Sequence, residues 1–79
     1  MKAFVYVTLK KSVLDPQGKT IQGALKKLGY SAVSDVRQGK YFELEIAGTD
    51  TEQAKSQVEK IAREVLTNPV IEEFHYSLE

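Results

Sequence analysis

No cysteine occurs among the 79 residues. That excludes disulfides, thiolate zinc sites and a cysteine nucleophile together, and it fits a reducing, cytoplasmic setting. No apolar run approaches the ~20 residues that a membrane span requires, and the first residues do not read as a signal peptide, so no membrane association is expected. Neither sign of charge dominates: eleven basic residues meet eleven acidic ones. Nucleic-acid binders draw much of their affinity from phosphate neutralisation, and the missing basic excess argues against that class. There is one histidine, His75. It stands between Phe74 and Tyr76 with no positioned nucleophile or orienting group, and only Glu73 is near in alternation, so neither catalysis nor metal binding is assigned to it. The glycines form no phosphate-cradling loop. Linkers and low-complexity stretches are also missing, and residues 1–79 read as one domain. A chain this short buries only about 60–65% of its unfolded surface, so it gains from a partner.

What is present is a sharp change of period along the chain. Lys2 to Lys10 alternates, with Ala3, Val5, Val7 and Leu9 on one face and Phe4, Tyr6 and Thr8 on the other, which predicts a strand. Val13-Leu14-Asp15-Pro16-Gln17-Gly18 then stops it. Asp, Pro and Gly at these spacings fit a type I turn, and the Asp15 carboxylate is placed to cap the amides that follow. Ile21, Ala24, Leu25 and Leu28 form one stripe of a helix over Lys19 to Leu28, with Gly29 as its left-handed C′ residue. Two extended runs between Val33 and Ala47 flank Gln38-Gly39-Lys40, and a hairpin is expected there in preference to one long bent strand. Thr49 and Glu52 read as a capping box ahead of a helix striped by Ala54, Val58, Ile61, Ala62, Val65 and Leu66. Glu59 and Arg63 are spaced to pair on its outer face. Asn68-Pro69 ends that helix, and Val70 to Leu78 is the last strand.

The resulting order, β-α-β-β-α-β, implies an α+β, two-layer sandwich of ferredoxin-like character: an antiparallel sheet with two helices on one face. Both helix stripes are expected to meet Val5, Val7, Phe42, Leu44 and Ile46 in the core. The opposite sheet face collects Phe4, Tyr6, Tyr41 and His75 among Glu43, Glu45 and Glu73. Aromatics on an open sheet face suggest cover by another chain, and Phe4 and Tyr6 are the candidates for self-association. Glu43 and Glu45 read as solubilising charge, because nothing in the sequence buries either carboxyl. Lys40-Tyr41-Phe42 resembles a base-stacking strand only weakly, and the two glutamates would repel a nucleic-acid backbone. Three function classes survive: an assembly subunit, a small-ligand regulatory domain of ACT-like type, and a minor enzyme with an unrecognised site. Fold analogy does not choose among them.

Specific words in the chain do. Val7-Thr8-Leu9-Lys10, Val13-Leu14-Asp15-Pro16-Gln17-Gly18, Ala24-Leu25, Asp35-Val36-Arg37-Gln38-Gly39-Lys40 and Asn68-Pro69-Val70-Ile71-Glu72 resemble, in order and spacing, the words of the PurS family. That family is the small subunit of the multi-chain phosphoribosylformylglycinamidine synthase of purine biosynthesis. The resemblance implies a non-catalytic assembly subunit. Its partners would be a glutaminase subunit that releases ammonia and a large synthetase subunit that uses ATP and magnesium, with no cofactor on the small subunit itself. It implies a homodimer or tetramer that docks the two active sites, so that ammonia passes between them without being protonated in water. The first candidates for partner contact are Asp35, Arg37, Gln38, Gly39, Lys40 and Tyr41; the second are Asp15, Gln17 and Gly18. Arg37 and Lys40 are expected to project near a turn, where charge reversal costs the monomer about 0.5 kcal/mol or less.

Overall fold

Alternating apolar residues at the N-terminus build the central strand of the molecule, which is described over all of residues 1–79 by a computed structural model. Strand β1 (Lys2–Leu9) buries Ala3, Val5 and Val7 almost completely. Helix α1 (Pro16–Lys27) follows, then β2 (Gly39–Glu45), α2 (Thr51–Ile61), a π-helical turn over Ala62–Leu66, and β3 (Glu72–Leu78). The sheet order is β2-β1-β3, with both neighbours antiparallel to β1. The fold is α+β, as the periods imply, but the sheet has three strands rather than four.

Small residues set how α2 sits on the sheet. Ala54, Val58 and Ala62 are buried, and Val58 and Ala62 join Ala3, Val5 and Val7 in one core cluster. Phe42, Leu44 and Ile46 flank it on one side, and Phe74, Tyr76 and Leu78 on the other. The cap of α2 is Asp50, not Thr49: one carboxylate oxygen accepts from the Glu52 and Gln53 amides at 3.1 and 3.3 Å. A carboxylate at the positive end of the helix satisfies two free donors at once. The last turn widens, the Thr67 N–H reaching back five residues to the Ala62 carbonyl. Val65 therefore leaves the stripe and is exposed. Glu59 does not pair with Arg63; it accepts the Tyr76 hydroxyl at 2.8 Å, which ties α2 to β3. The β3 strand starts at Glu72 because Asn68 holds the preceding turn, its carbonyl accepting from the Ile71 and Glu72 amides.

The other helix departs from the two-layer plan. Helix α1 is capped by Asp15 and ends at Gly29 (φ 95°) as the turn chemistry predicts. Yet it makes at most glancing contact with the sheet and α2. Leu28 is 73% exposed and Ile21 is also exposed, so this stripe does not join the core. The molecule is 49 × 25 × 14 Å, with a radius of gyration of 16.1 Å; a compact chain of this length would have about 12 Å. Residues 33–38, expected as the first arm of a hairpin, form no strand and run back beside α1 instead. Gln22 Nε2 donates to the Ser34 carbonyl at 2.6 Å, Lys19 lies 4.0 Å from Asp35, and the Gln38 amide donates to Asp15 at 2.6 Å. These pairings, 22 with 34 and 15 with 38, run antiparallel along the helix. The backbone groups that a hairpin would have paired are partly spent on α1. Gly39 and Lys40, read as turn residues, are the first two residues of β2, opposite Thr8 and Val7.

Candidate functional site

The polar centre of the molecule is the junction between arm and sheet. Asp15 is 4% exposed. One of its carboxylate oxygens accepts the Gly18 amide at 3.0 Å and the other the Gln38 amide at 2.6 Å. These two hydrogen bonds, the Gln38 one first, hold its carboxyl below the ordinary value of 3.8, with burial opposing them and Arg37 adding to them. Arg37 donates from one terminal nitrogen to the Lys10 and Val13 carbonyls, each at 3.0 Å. Asp15 and Arg37 thus act as reciprocal clips: each binds the backbone of the segment that carries the other.

Gly18 is buried in this junction, and a Cβ there would collide with the Val36 carbonyl. The close approach that a glycine permits is made here by the chain's own backbone. At Gly39 a Cβ would lie 2.6 Å from the Val7 carbonyl oxygen, so the start of β2 also requires glycine. Lys40 and Glu72 stand on the inner sheet face, opposite Val7 and Leu9. Their side chains approach to 3.5 Å, and the Glu72 side chain is only 12% exposed. Glu72 also accepts the Asn68 amide at 2.7 Å.

The structure therefore brings Asp15, Gln17, Gly18, Arg37, Gln38, Gly39 and Lys40 together, and it corrects the view of Arg37 and Lys40 as charges free at a turn. Both are engaged within the chain, so reversing Arg37 takes its guanidinium from the Lys10 and Val13 carbonyls, of which the Lys10 carbonyl keeps the Val13 N–H. Asp35 lies outside the junction, exposed, accepting the Val36 amide and facing Lys19. Tyr41 belongs to the other sheet face. There Tyr6 lies between Tyr41 and His75, with ring centroids 5.2 and 5.1 Å away, and Phe4 stacks on Tyr41 at 6.1 Å. Partial burial, reinforced by a hydrogen bond to Glu43, pushes the Tyr41 hydroxyl up to about 12. This is the aromatic face that the alternation predicts, and His75 is part of its ladder. Glu72 is the junction residue that sequence reasoning missed. Its signal was its alternation with Phe74 and Tyr76, which places it on the same inner face as Lys40.

The model of the PurS family, described as phosphoribosylformylglycinamidine (FGAM) synthase, matches residues 2–79. A Mycobacterium leprae protein named phosphoribosylformylglycinamidine synthase subunit PurS is 49% identical over 73 residues, covering 92% of this chain and 89% of its own. A Bacillus subtilis protein of the same name is 46% identical over 78 residues, covering 99% and 92%. The solved structure of Bacillus subtilis PurS matches with a TM-score of 0.88 at 46% identity, covering 99% of this chain and 96% of that one. A chain in the structure of PurLQS from Thermotoga maritima matches with a TM-score of 0.85 at 34% identity, covering 96% and 94%. The three-stranded α+β architecture is shared with solved PurS structures, and the chain belongs to the family of PurS subunits of FGAM synthase.

Proposed function

We propose that this chain is the non-catalytic assembly subunit of an FGAM synthase complex, bridging a glutaminase subunit and an ATP- and magnesium-dependent synthetase subunit and assisting ammonia transfer between them. The observation that carries the proposal is the match, over 96% of the chain, to a component of a PurLQS assembly. The only histidine is stacked in an aromatic ladder and not set against a nucleophile. The small-ligand regulatory alternative receives no support from the family comparisons.

A second copy belongs to the same proposal. A three-stranded sheet with one covering helix leaves the α1 stripe exposed, and the outer face presents Phe4, Tyr6 and Tyr41. Apolar surface left open on so small a chain favours self-association into a dimer or tetramer. Light scattering checks this directly, and a particle of 8.9 kDa is the result that would sink it. For the assembly role, the chain is added to the matching glutaminase and synthetase. Glutamine-dependent amidine formation should rise, with all three chains co-eluting. Equal turnover without the small chain would end the proposal.

A further inference from the structure

The words at Asp15–Gly18, Asp35–Lys40 and Asn68–Glu72 are far apart in sequence, yet they wall one cavity. Asp15, Gln17, Gln38, Gly39, Lys40 and Glu72 surround a space of about 170 Å³ over Val7 and Leu9. Pockets for metabolites usually span about 300–1,000 Å³, whereas a cavity of about 150 Å³ admits one benzene. The volume therefore suits one side chain. Its charge is equally restrictive: among the lining residues two carboxylates, Asp15 and Glu72, stand against one ammonium, Lys40, while the Arg37 guanidinium acts on Asp15 from outside the lining. The Asp15 carboxylate is almost wholly buried and ionised, and each of its oxygens takes one hydrogen bond from the chain. Since a carboxylate offers about four acceptor positions, it retains capacity. One Glu72 oxygen takes the Asn68 amide, and the other faces the Lys40 ammonium at 3.5 Å, beyond hydrogen-bond range. Lys40 is 61% exposed against 12% for Glu72, so it is the solvent-facing member of the pair.

Resting on the assembly reading, we propose that this cavity is the receptor for a single arginine side chain of a partner subunit, whose guanidinium displaces the Lys40 ammonium from Glu72. Arginine fits the lining better than lysine. Its planar fork of five donors can serve Glu72 and the Gln17 and Gln38 side-chain oxygens together, and its stem lies along Val7 and Leu9. A carboxylate occupant would instead meet the buried Asp15 anion. The incoming charge needs no rearrangement of the arm, because the Asp15 and Arg37 clips already hold the wall in place.

The test begins with the full chain alone, followed by amide chemical shifts during titration with methylguanidinium, with acetate and with sodium chloride. Weak, saturable shifts at Gln38, Gly39, Lys40 and Glu72 are expected with methylguanidinium only. Lys40→Met should bind the probe several-fold more tightly, because the competing cation is gone. Glu72→Gln keeps the acceptor for Asn68 and should bind several-fold more weakly. In the reconstituted complex Glu72→Gln should weaken co-elution by roughly tenfold or more, and Lys40→Met should keep or strengthen it. Saturation by acetate, no saturation by methylguanidinium, or loss of the complex in Lys40→Met each overturns the arginine receptor. Undiminished co-elution in folded Glu72→Gln overturns it too, and leaves the assembly reading standing. Failure of the unaltered chain to co-elute is the separate result that removes the assembly reading.

Discussion

The half of the molecule made of the sheet and α2 and the half made of α1 and its return segment are held by different forces. In the first, Ala3, Val5, Val7, Val58 and Ala62 exclude water together, and both neighbours of β1 are paired along its length. In the second, the apolar residues face outward, and order depends on Asp15, Arg37, Gln22 and a glycine that admits the Val36 carbonyl. Apolar burial acts without regard to direction, whereas a hydrogen bond is directional and fails when its geometry is lost. The sheet half is therefore the stable platform, and the arm is the part whose order a partner or a single substitution can change.

The largest effect should come from breaking the platform. Val58→Asp removes the burial of a valine, worth about 1.5–3 kcal/mol, and places an unpaired charge against Val5 and Val7. Circular dichroism should show no cooperative transition; a native-like transition would mean that α2 is not the element that closes the core. Next comes the double change Arg37→Glu, Lys40→Glu. It takes the guanidinium from the Lys10 and Val13 carbonyls and sets two acids beside Glu72 and Asp15. The thermal midpoint should fall by roughly 5–10 °C. Hydrogen exchange should accelerate in residues 15–38 while β1 keeps its protection. An unchanged midpoint would restore the view of these cations as free charges.

That correction shows what the sequence made legible. Alternation over Lys2–Lys10 and Val70–Leu78 marks two strands and their inner faces, because a half-buried strand must present apolar residues at every second position, and the structure forms them as Lys2–Leu9 and Glu72–Leu78. The Asp15 cap and the Gly29 stop were legible for the same local reason. The return segment was not. Val33 and Val36 look β-like, but their segment is docked through its neighbours: Gln22 binds the Ser34 carbonyl, Asp15 binds the Gln38 amide, and Gly18 admits the Val36 carbonyl, partners 12 to 23 residues away. No local pattern encodes a hydrogen bond to a distant carboxylate. The α1 stripe marks an amphipathic helix but does not reach the core expected for it, because periodicity says that a face wants cover and not which surface supplies it. Of the junction, the words were visible and their convergence was not. Glu72 in particular becomes a neighbour of Lys40 only once β1 brings β2 and β3 to its two edges.

A smaller effect separates the halves by pH. The Asp15 carboxyl ionises below its ordinary 3.8 in the folded chain, so its contribution is present above that value and is lost as pH falls through the lowered pKa. On acidification below about pH 4, exchange in residues 15–38 should rise before exchange in the sheet. Asp15→Asn should have a less protected arm at neutral pH and lose this step in the acid limb. A single acid transition, shared by both halves and identical in the two proteins, would show that the clip does not set the arm's stability.

The smallest effect lies on the platform's outer face and leaves the arm untouched. In the folded chain Tyr41 remains protonated up to about 12, first because it is partly desolvated and then because its hydroxyl donates to Glu43 at 2.9 Å. Tyr76 is raised as well, chiefly by its bond to the Glu59 carboxylate. A raised tyrosine favours the neutral form, so its contribution is complete below the ordinary value of 10 and fades as pH climbs toward the folded value. Tyrosinate absorbance should consequently have a late stage above the ordinary value of 10, carried by Tyr41 and Tyr76. Glu43→Gln removes the carboxylate but keeps an acceptor, and it should bring the Tyr41 part of the late stage forward without altering exchange in residues 15–38. If Glu43→Gln loosened the arm as well, the two halves would be coupled through β2, and the division between platform and arm would fail.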